Sequence, residues 1–208
     1  MKKNSLTLLT IGACSASAML ASGASAAIAT YSQSLLWGQD VVAAGASVGT
    51  ETFNLYNGYY ASPLTGSGGG INWTATATGG LFFQTGYFST NNPVAATFTF
   101  APGVMAVGAN IFGTNSNFDI VAARITVSLA DGSSYIASTS GATDFVGFIS
   151  IGFNGNPPVA ISSLTMAAAG SGNVYVTADN MYFGVVPAPG SVALLACAGL
   201  SATRRRRN

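Results

Sequence analysis

The stretch INWTATAT, Ile71 to Thr78, alternates without a break. Ile71, Trp73, Ala75 and Ala77 fall on one side of an extended chain, and Asn72, Thr74, Thr76 and Thr78 on the other. Successive side chains of a strand point to opposite faces, so this stretch can bury one clean apolar face only as a strand. As a helix it would scatter both sets around the circumference. The same period recurs in ATFTFA, where Thr97 and Thr99 alternate with Phe98 and Phe100. In RITVSLADGSSYIAS, Ile125, Val127 and Leu129 share a face, and Asp131-Gly132 supplies a two-residue hairpin turn. That turn places Val127 opposite Ile136 as an apolar cross-strand pair. DFVGFISIGF, ISSLTMAAA and VYVTADNMYFG continue the strand text, and no sustained 3.6-residue apolar period appears between Thr30 and Val185.

Turn signals separate these runs: Gly66 to Gly70, Gly79-Gly80, Asn91-Asn92-Pro93, Pro102-Gly103, Asn154 to Pro158 and Gly170 to Asn173. Short strands at this spacing, without helices for parallel crossovers, predict an all-β fold, a single antiparallel β-sandwich. The domain is expected over residues 27–184, flanked by separate terminal segments over 1–26 and 185–208.

Charge is segregated. Lys2 and Lys3 open the chain, Arg204, Arg205, Arg206 and Arg207 close it, and only Arg124 lies between. Against that one cation stand Asp40, Glu51, Asp119, Asp131, Asp144 and Asp179, a net of −5 over residues 27–186. Such a middle cannot neutralise a run of phosphates, which excludes nucleic acid as its partner.

The N-terminus reads as a secretory signal. Lys2 and Lys3 form the basic start, an apolar run follows from Leu6, and Ala24-Ser25-Ala26 fits the small-x-small rule for signal peptidase, with a mature chain starting at Ala27. The alternatives are a first transmembrane helix and lipidation at Cys14. All three imply export.

At the other end stand Val186-Pro187-Ala188-Pro189, then a short stretch with Leu194-Leu195 and Ala198-Gly199-Leu200, then Arg204 to Arg207. This order resembles the PEP-CTERM sorting signal of exported bacterial proteins, which joins a Pro-x-Pro motif, a short apolar segment and a terminal basic cluster. Ala188 stands where that family commonly has Glu. The resemblance implies recognition and cleavage by an exosortase, with the C-terminal helix holding the protein in the membrane transiently. Physically, Ser191 to Thr203 is short and rich in Ala, Gly and Ser, a marginal span, and the arginines would remain on the cytoplasmic side. A permanent tail anchor is the alternative. LADGSSY, DFVGFISIGF with ISSLTM, and TADNMYFG are similar to the jelly-roll-like ectodomains that carry this tag. The resemblance further implies a non-enzymatic cell-surface or matrix protein associated with extracellular polysaccharide or biofilm.

The chain has no histidine, and both cysteines, Cys14 and Cys197, lie in the terminal segments. A Ser–His–Asp arrangement is thereby excluded, as are metal sites built on His or Cys. A glycan-active enzyme would need two facing carboxylates, and none of the six sits in a recognisable motif. Calcium suits the remaining oxygen ligands: Asp179 and Asn180 are the candidates, with Asp119 or Asp144 as partners. The alternative is a local turn or strand-entry hydrogen bond. Sugar stacking is the other candidate chemistry. Tyr56, Tyr59 and Tyr60 surround the turn Asn57-Gly58 and would make a lectin-like contact, with Trp37, Trp73 and Tyr87 as further rings. Trp73, on the apolar face of its strand, is expected in the core. Tyr59 and Tyr60, being consecutive, cannot both face one core.

Overall fold

The computed structural model of the chain describes residues 27–141, 144–151 and 157–185. Along the chain come β1 (Ala27–Tyr31), helix α1 (Ser34–Ala43), β2 (Ser47–Glu51), β3 (Gly58–Tyr60), β4 (Leu64–Gly68), β5 (Ile71–Thr76), β6 (Leu81–Gln84) and β7 (Tyr87–Thr90). They are followed by β8 (Ala96–Phe100), β9 (Val104–Asn115), β10 (Ile120–Val121), β11 (Ala123–Leu129), β12 (Ser134–Thr139), β13 (Phe145–Ile151), β14 (Ile161–Ala168) and β15 (Val174–Val185).

The strands form two antiparallel sheets, the expected all-β sandwich. One sheet runs β1-β13-β9-β15-β7-β6-β3, with β10 added to β9 and β2 to β15. The other runs β12-β11-β14-β8-β5-β4. Ile71, Trp73, Ala75 and Ala77 are buried between them, as are Phe98, Ile125, Val127 and Leu129, so the period-two reading assigns the faces correctly.

The centre of the core is aromatic. Phe53 is fully buried and meets Trp73, Phe83, Phe88 and Phe98 at ring-centroid distances of 5.8–6.2 Å. Its φ of +56° lies in the left-handed region, which costs a bulky residue about 1–2 kcal/mol. Burial of the ring offsets that cost. Beside it the buried Glu51 accepts hydrogen bonds from the Phe53 backbone N–H at 2.8 Å and from the Trp73 indole N–H at 3.2 Å. Glu51 belongs to one sheet and Trp73 to the other, so this carboxylate ties the sheets together.

Two expectations are corrected. The hairpin pairs Val127 with Tyr135, and Ile136 lies opposite Thr126 on the outer face, 55% exposed. The loop holds three residues rather than two: Leu129 N–H bonds the Ser133 carbonyl, Gly132 takes a φ of +87°, and the Asp131 carboxylate accepts from Ser133. One added loop residue shifts the pairing by one and turns Ile136 to the other face.

The second correction is α1, where no helix was expected. Only Trp37 and Val41, one turn apart, are buried, while Leu35, Leu36 and Val42 are exposed. Apolar residues on both sides erase the helical period from the sequence. The helix docks because two glycines make room. A Cβ at Gly147 would sit 2.5 Å from the Trp37 ring, and one at Gly184 would sit 2.8 Å from Val41.

The expected cleavage residues Ala24 and Ala26, and the expected sorting residues Val186, Pro187, Ala188 and Pro189 with Arg204, Arg205, Arg206 and Arg207, lie outside the described residues. Among the described residues no helix is long and apolar enough to cross a membrane.

Candidate functional site: an aromatic groove beside the helix

The outer face of the nine-stranded sheet divides at Asn180. Buried apolar residues of β15 fall at Val176, Ala178, Met181 and Phe183, so the spacing of two slips to three at Asn180. Asn180 is the extra residue of a β-bulge, with a φ of +46°, and the register against β9 shifts between Asp179 and Met181. The bulge also exchanges partners. Residues Thr177 to Asp179 pair with β7, whereas Met181 to Val185 pair with β2. On the β2 side the outer face is covered by α1, where Trp37 and Val41 pack with Ala106, Phe145, Ile149 and Tyr182. On the β7 side it is open.

The open half carries a groove of about 430 Å³. Its walls are Phe82, Tyr87, Phe112, Phe118 and Ile120. All but Phe112 are substantially exposed, and the Phe112 and Tyr87 rings meet edge-on at 6.1 Å. Rings left facing water in one cluster mark a contact surface rather than incidental exposure.

The floor is made of hydroxyls. Ser89 Oγ donates to the Val176 carbonyl at 3.2 Å, and Thr177 Oγ1 donates to Ser89 Oγ at 3.4 Å. Thr114 Oγ1 lies 3.4 Å from Thr177 Oγ1 and is the donor in this chain, because the Thr177 proton is already engaged. A hydroxyl has one proton and two lone pairs, so a floor whose protons point along the chain presents acceptors to a ligand. Gln84 adds an amide at the rim, and no carboxylate or cationic side chain lines the groove.

Phe118 stands at the mouth, 84% exposed with a φ of +64°. An exposed bulky residue in the left-handed region gains nothing from core burial, and such strain collects where a ligand is clamped. Its loop is pinned by Asn115, whose Oδ1 accepts from the N–H groups of Asn117 and Asp119 and whose Nδ2 donates to the Asp119 carboxylate. Phe118 N–H also bonds the Asn115 carbonyl. The loop backbone that carries the ring is therefore fixed before any ligand arrives.

The tyrosines singled out from the sequence separate. Tyr56 stacks on Phe83 at 4.9 Å, and Tyr60 meets the same ring edge-on at 5.3 Å, so both lean on the core. Burial, with lesser contributions from Glu51 and Tyr60, holds the Tyr56 hydroxyl above its usual pKa. Tyr59 points outward, 59% exposed, with its ring where a Gly80 side chain would otherwise lie. It lines a shallow groove with Ser62, Thr76, Thr78 and Thr97.

Asp179 is half-buried at the edge of the helix-covered region. Burial raises its pKa and favours the neutral acid, against a lowering by a backbone hydrogen bond at Asn180. Asp119 binds Asn115, as described. Asp144 is held below the usual carboxylate range by hydrogen bonds from Ser140 and Gly141. The calcium ligands considered from sequence thus have local partners or, for Asn180, a backbone role. Among the described residues no three His, Cys, Asp or Glu side chains converge.

Of the groove residues, only Tyr87 stood out in the sequence. Phe82 was findable as the polar-side aromatic of LFFQ, since alternation burying Leu81 and Phe83 must expose it. Phe118, inside TNSNFDI, carries no such signal.

No protein-family description matches the sequence, and no curated protein matches it. Solved structures do. A mutant of a family 29 carbohydrate-binding module complexed with mannohexaose aligns over 67% of this chain and 92% of its own, at 10% identity and a TM-score of 0.39. Another mutant of that module, complexed with cellulohexaose, aligns over 67% of this chain and 98% of its own, at 10% identity and the same score, 0.39. A carbohydrate-binding module of family 29 aligns over 67% and 88%, at 9% identity and 0.39. A match this loose brings no residue of those proteins onto a residue of this chain.

Proposed function

We propose that this protein is a non-catalytic carbohydrate-binding protein whose ligand lies in the groove of Phe82, Tyr87, Phe112 and Phe118. The observation that carries the reading is the groove itself, exposed rings above a floor of hydroxyl acceptors with no charge among them. A sugar ring has apolar C–H faces and a rim of hydroxyls. It stacks on the walls, and its hydroxyls donate to the lone pairs the floor leaves spare.

The ligand is a neutral glycan. An anionic polysaccharide would meet a domain of net charge −5 and find no cation in the groove. Binding to insoluble neutral glucans and mannans, measured by depletion and by affinity electrophoresis, is expected to change little between low and high salt. Tyr87→Ala combined with Phe118→Ala is expected to weaken it at least about tenfold while the melting temperature stays within a few degrees. Unchanged retention by that double variant would refute the groove as the site.

Export and sorting complete the proposal. Residues 1–26 direct secretion through signal peptidase, and the Pro-x-Pro, apolar and arginine parts of 186–208 are read by an exosortase. Their support is the order of these parts on one chain. The groove would then be delivered to the cell surface or matrix, where neutral polysaccharide is available. Intact-mass measurement on protein from its host is expected to show a chain starting at Ala27 and ending near Val186. A mass retaining Arg204 to Arg207 would overturn the processing step.

A further inference from the structure

The groove is one end of a longer feature. In an antiparallel sheet, residues directly opposite each other share a face and stand about 4.7–4.9 Å apart in the hydrogen-bonding direction. Following the pairings outward from the groove, Phe112 faces Thr177, Thr177 faces Ser89, Ser89 faces Phe82 and Phe82 faces Tyr59. These residues form one row across β9, β15, β7, β6 and β3, roughly 19 Å long by strand spacing. The order is ring, hydroxyl, hydroxyl, ring, ring.

Both ends are closed by rings. Phe118 and Ile120 stand beyond Phe112, because β10 pairs with β9 at Thr114 and Ile120. At the other end, Gly80 keeps the space that Tyr59 fills; a Cβ there would lie 2.4 Å from the ring. By register Tyr59 stands opposite Phe82 on the edge strand, outside the groove, with its ring laid over Gly80.

Resting on the glycan reading above, we infer that the row is an extended track, and that the ligand is a linear neutral glycan chain lying across the strands. Tyr59 is the terminal contact that selects for length. The groove alone, from Phe112 to Phe82, spans roughly 14 Å of that row and takes a short oligosaccharide. An internal run of several sugar units is needed to reach from Phe118 to Tyr59. The selectivity is therefore for polymer over short sugar, and the ligand class is polysaccharide rather than free sugar.

The test uses the purified chain and cello-, manno-, xylo- and laminari-oligosaccharides from disaccharide to hexasaccharide, titrated calorimetrically. For the series that binds, affinity is expected to climb with length up to the longest chains. Tyr59→Ala is expected to remove roughly five- to tenfold of the affinity for the hexasaccharide and leave the disaccharide unchanged. Tyr59→Phe, which keeps the ring, should behave as wild type, and the exposed position should leave the melting temperature of both variants unaltered. Wild-type affinity that is already maximal at the disaccharide would overturn the track while leaving the groove intact. An equal loss for short and long chains in Tyr59→Ala would overturn the terminal role of Tyr59. Absence of binding by every series at every length would overturn the glycan reading, and the track with it.

Discussion

Phe53→Ala is expected to lower the unfolding free energy by about 3–5 kcal/mol, the range for removing a fully buried aromatic ring from a packed core. For a domain of this size that corresponds to a fall in Tm of roughly 6–20 °C. The reason is local. Phe53 touches four other rings, two from each sheet, so its removal opens a cavity where the sheets face each other. The left-handed backbone at +56° sharpens the test. Phe53→Gly relieves the backbone strain but leaves the same cavity, and should recover only about 1–2 kcal/mol relative to alanine. If both variants melt within two or three degrees of wild type, the aromatic hub does not hold the sheets.

Glu51→Ala is the second large effect, about 2–5 kcal/mol. It leaves two buried N–H groups, those of Phe53 and the Trp73 indole, without an acceptor. Glu51→Gln keeps one acceptor oxygen and should lose about half as much. A double-mutant cycle isolates the link between sheets. In a Trp73→Phe background the indole donor is already gone, so Glu51→Ala should then cost less by about 0.5–3 kcal/mol. Additive losses in thermal unfolding would mean that the inter-sheet hydrogen bond contributes nothing of its own.

Neither position was legible from pattern. Glu51 reads as one of six scattered acids, and Phe53 as a lone aromatic between Thr52 and Asn54. Both matter through residues that arrive from β5, β6, β7 and β8. The strands themselves were legible wherever alternation was strict, as in Ile71 to Thr78. The bulge at Asn180 was legible in principle, as a break of phase between Ala178 and Met181 in ADNM. Asp179 and Asn180 attracted a metal reading instead, because oxygen ligands and bulge formers draw on the same residue types. The hairpin slipped by one because Asp-Gly serves two-residue and three-residue loops alike, and only the register of β11 against β14 and β12 selects between them.

The candidate site shows the same division more sharply. Tyr59 could be placed outside the core by its neighbour Tyr60, since consecutive strand residues face opposite ways. That it stands in line with Phe82, Ser89, Thr177 and Phe112 is a fact about pairing. So is the openness of their face, which depends on where α1 docks against Gly147 and Gly184.

What the sequence determined by itself is therefore one-dimensional. It set which strictly alternating stretches are strands, which side of those strands is apolar, and that the domain carries almost no positive charge. Those properties belong to neighbours along the chain and need no partner. The tertiary structure decided which strands lie side by side, in what register, and which half of the outer face a helix covers. Pairing energies are similar for many registers of Thr- and Phe-rich strands. The arrangement reached buries Phe53, Trp73 and Glu51 together, and the same pairings set Phe112, Thr177, Ser89, Phe82 and Tyr59 opposite one another.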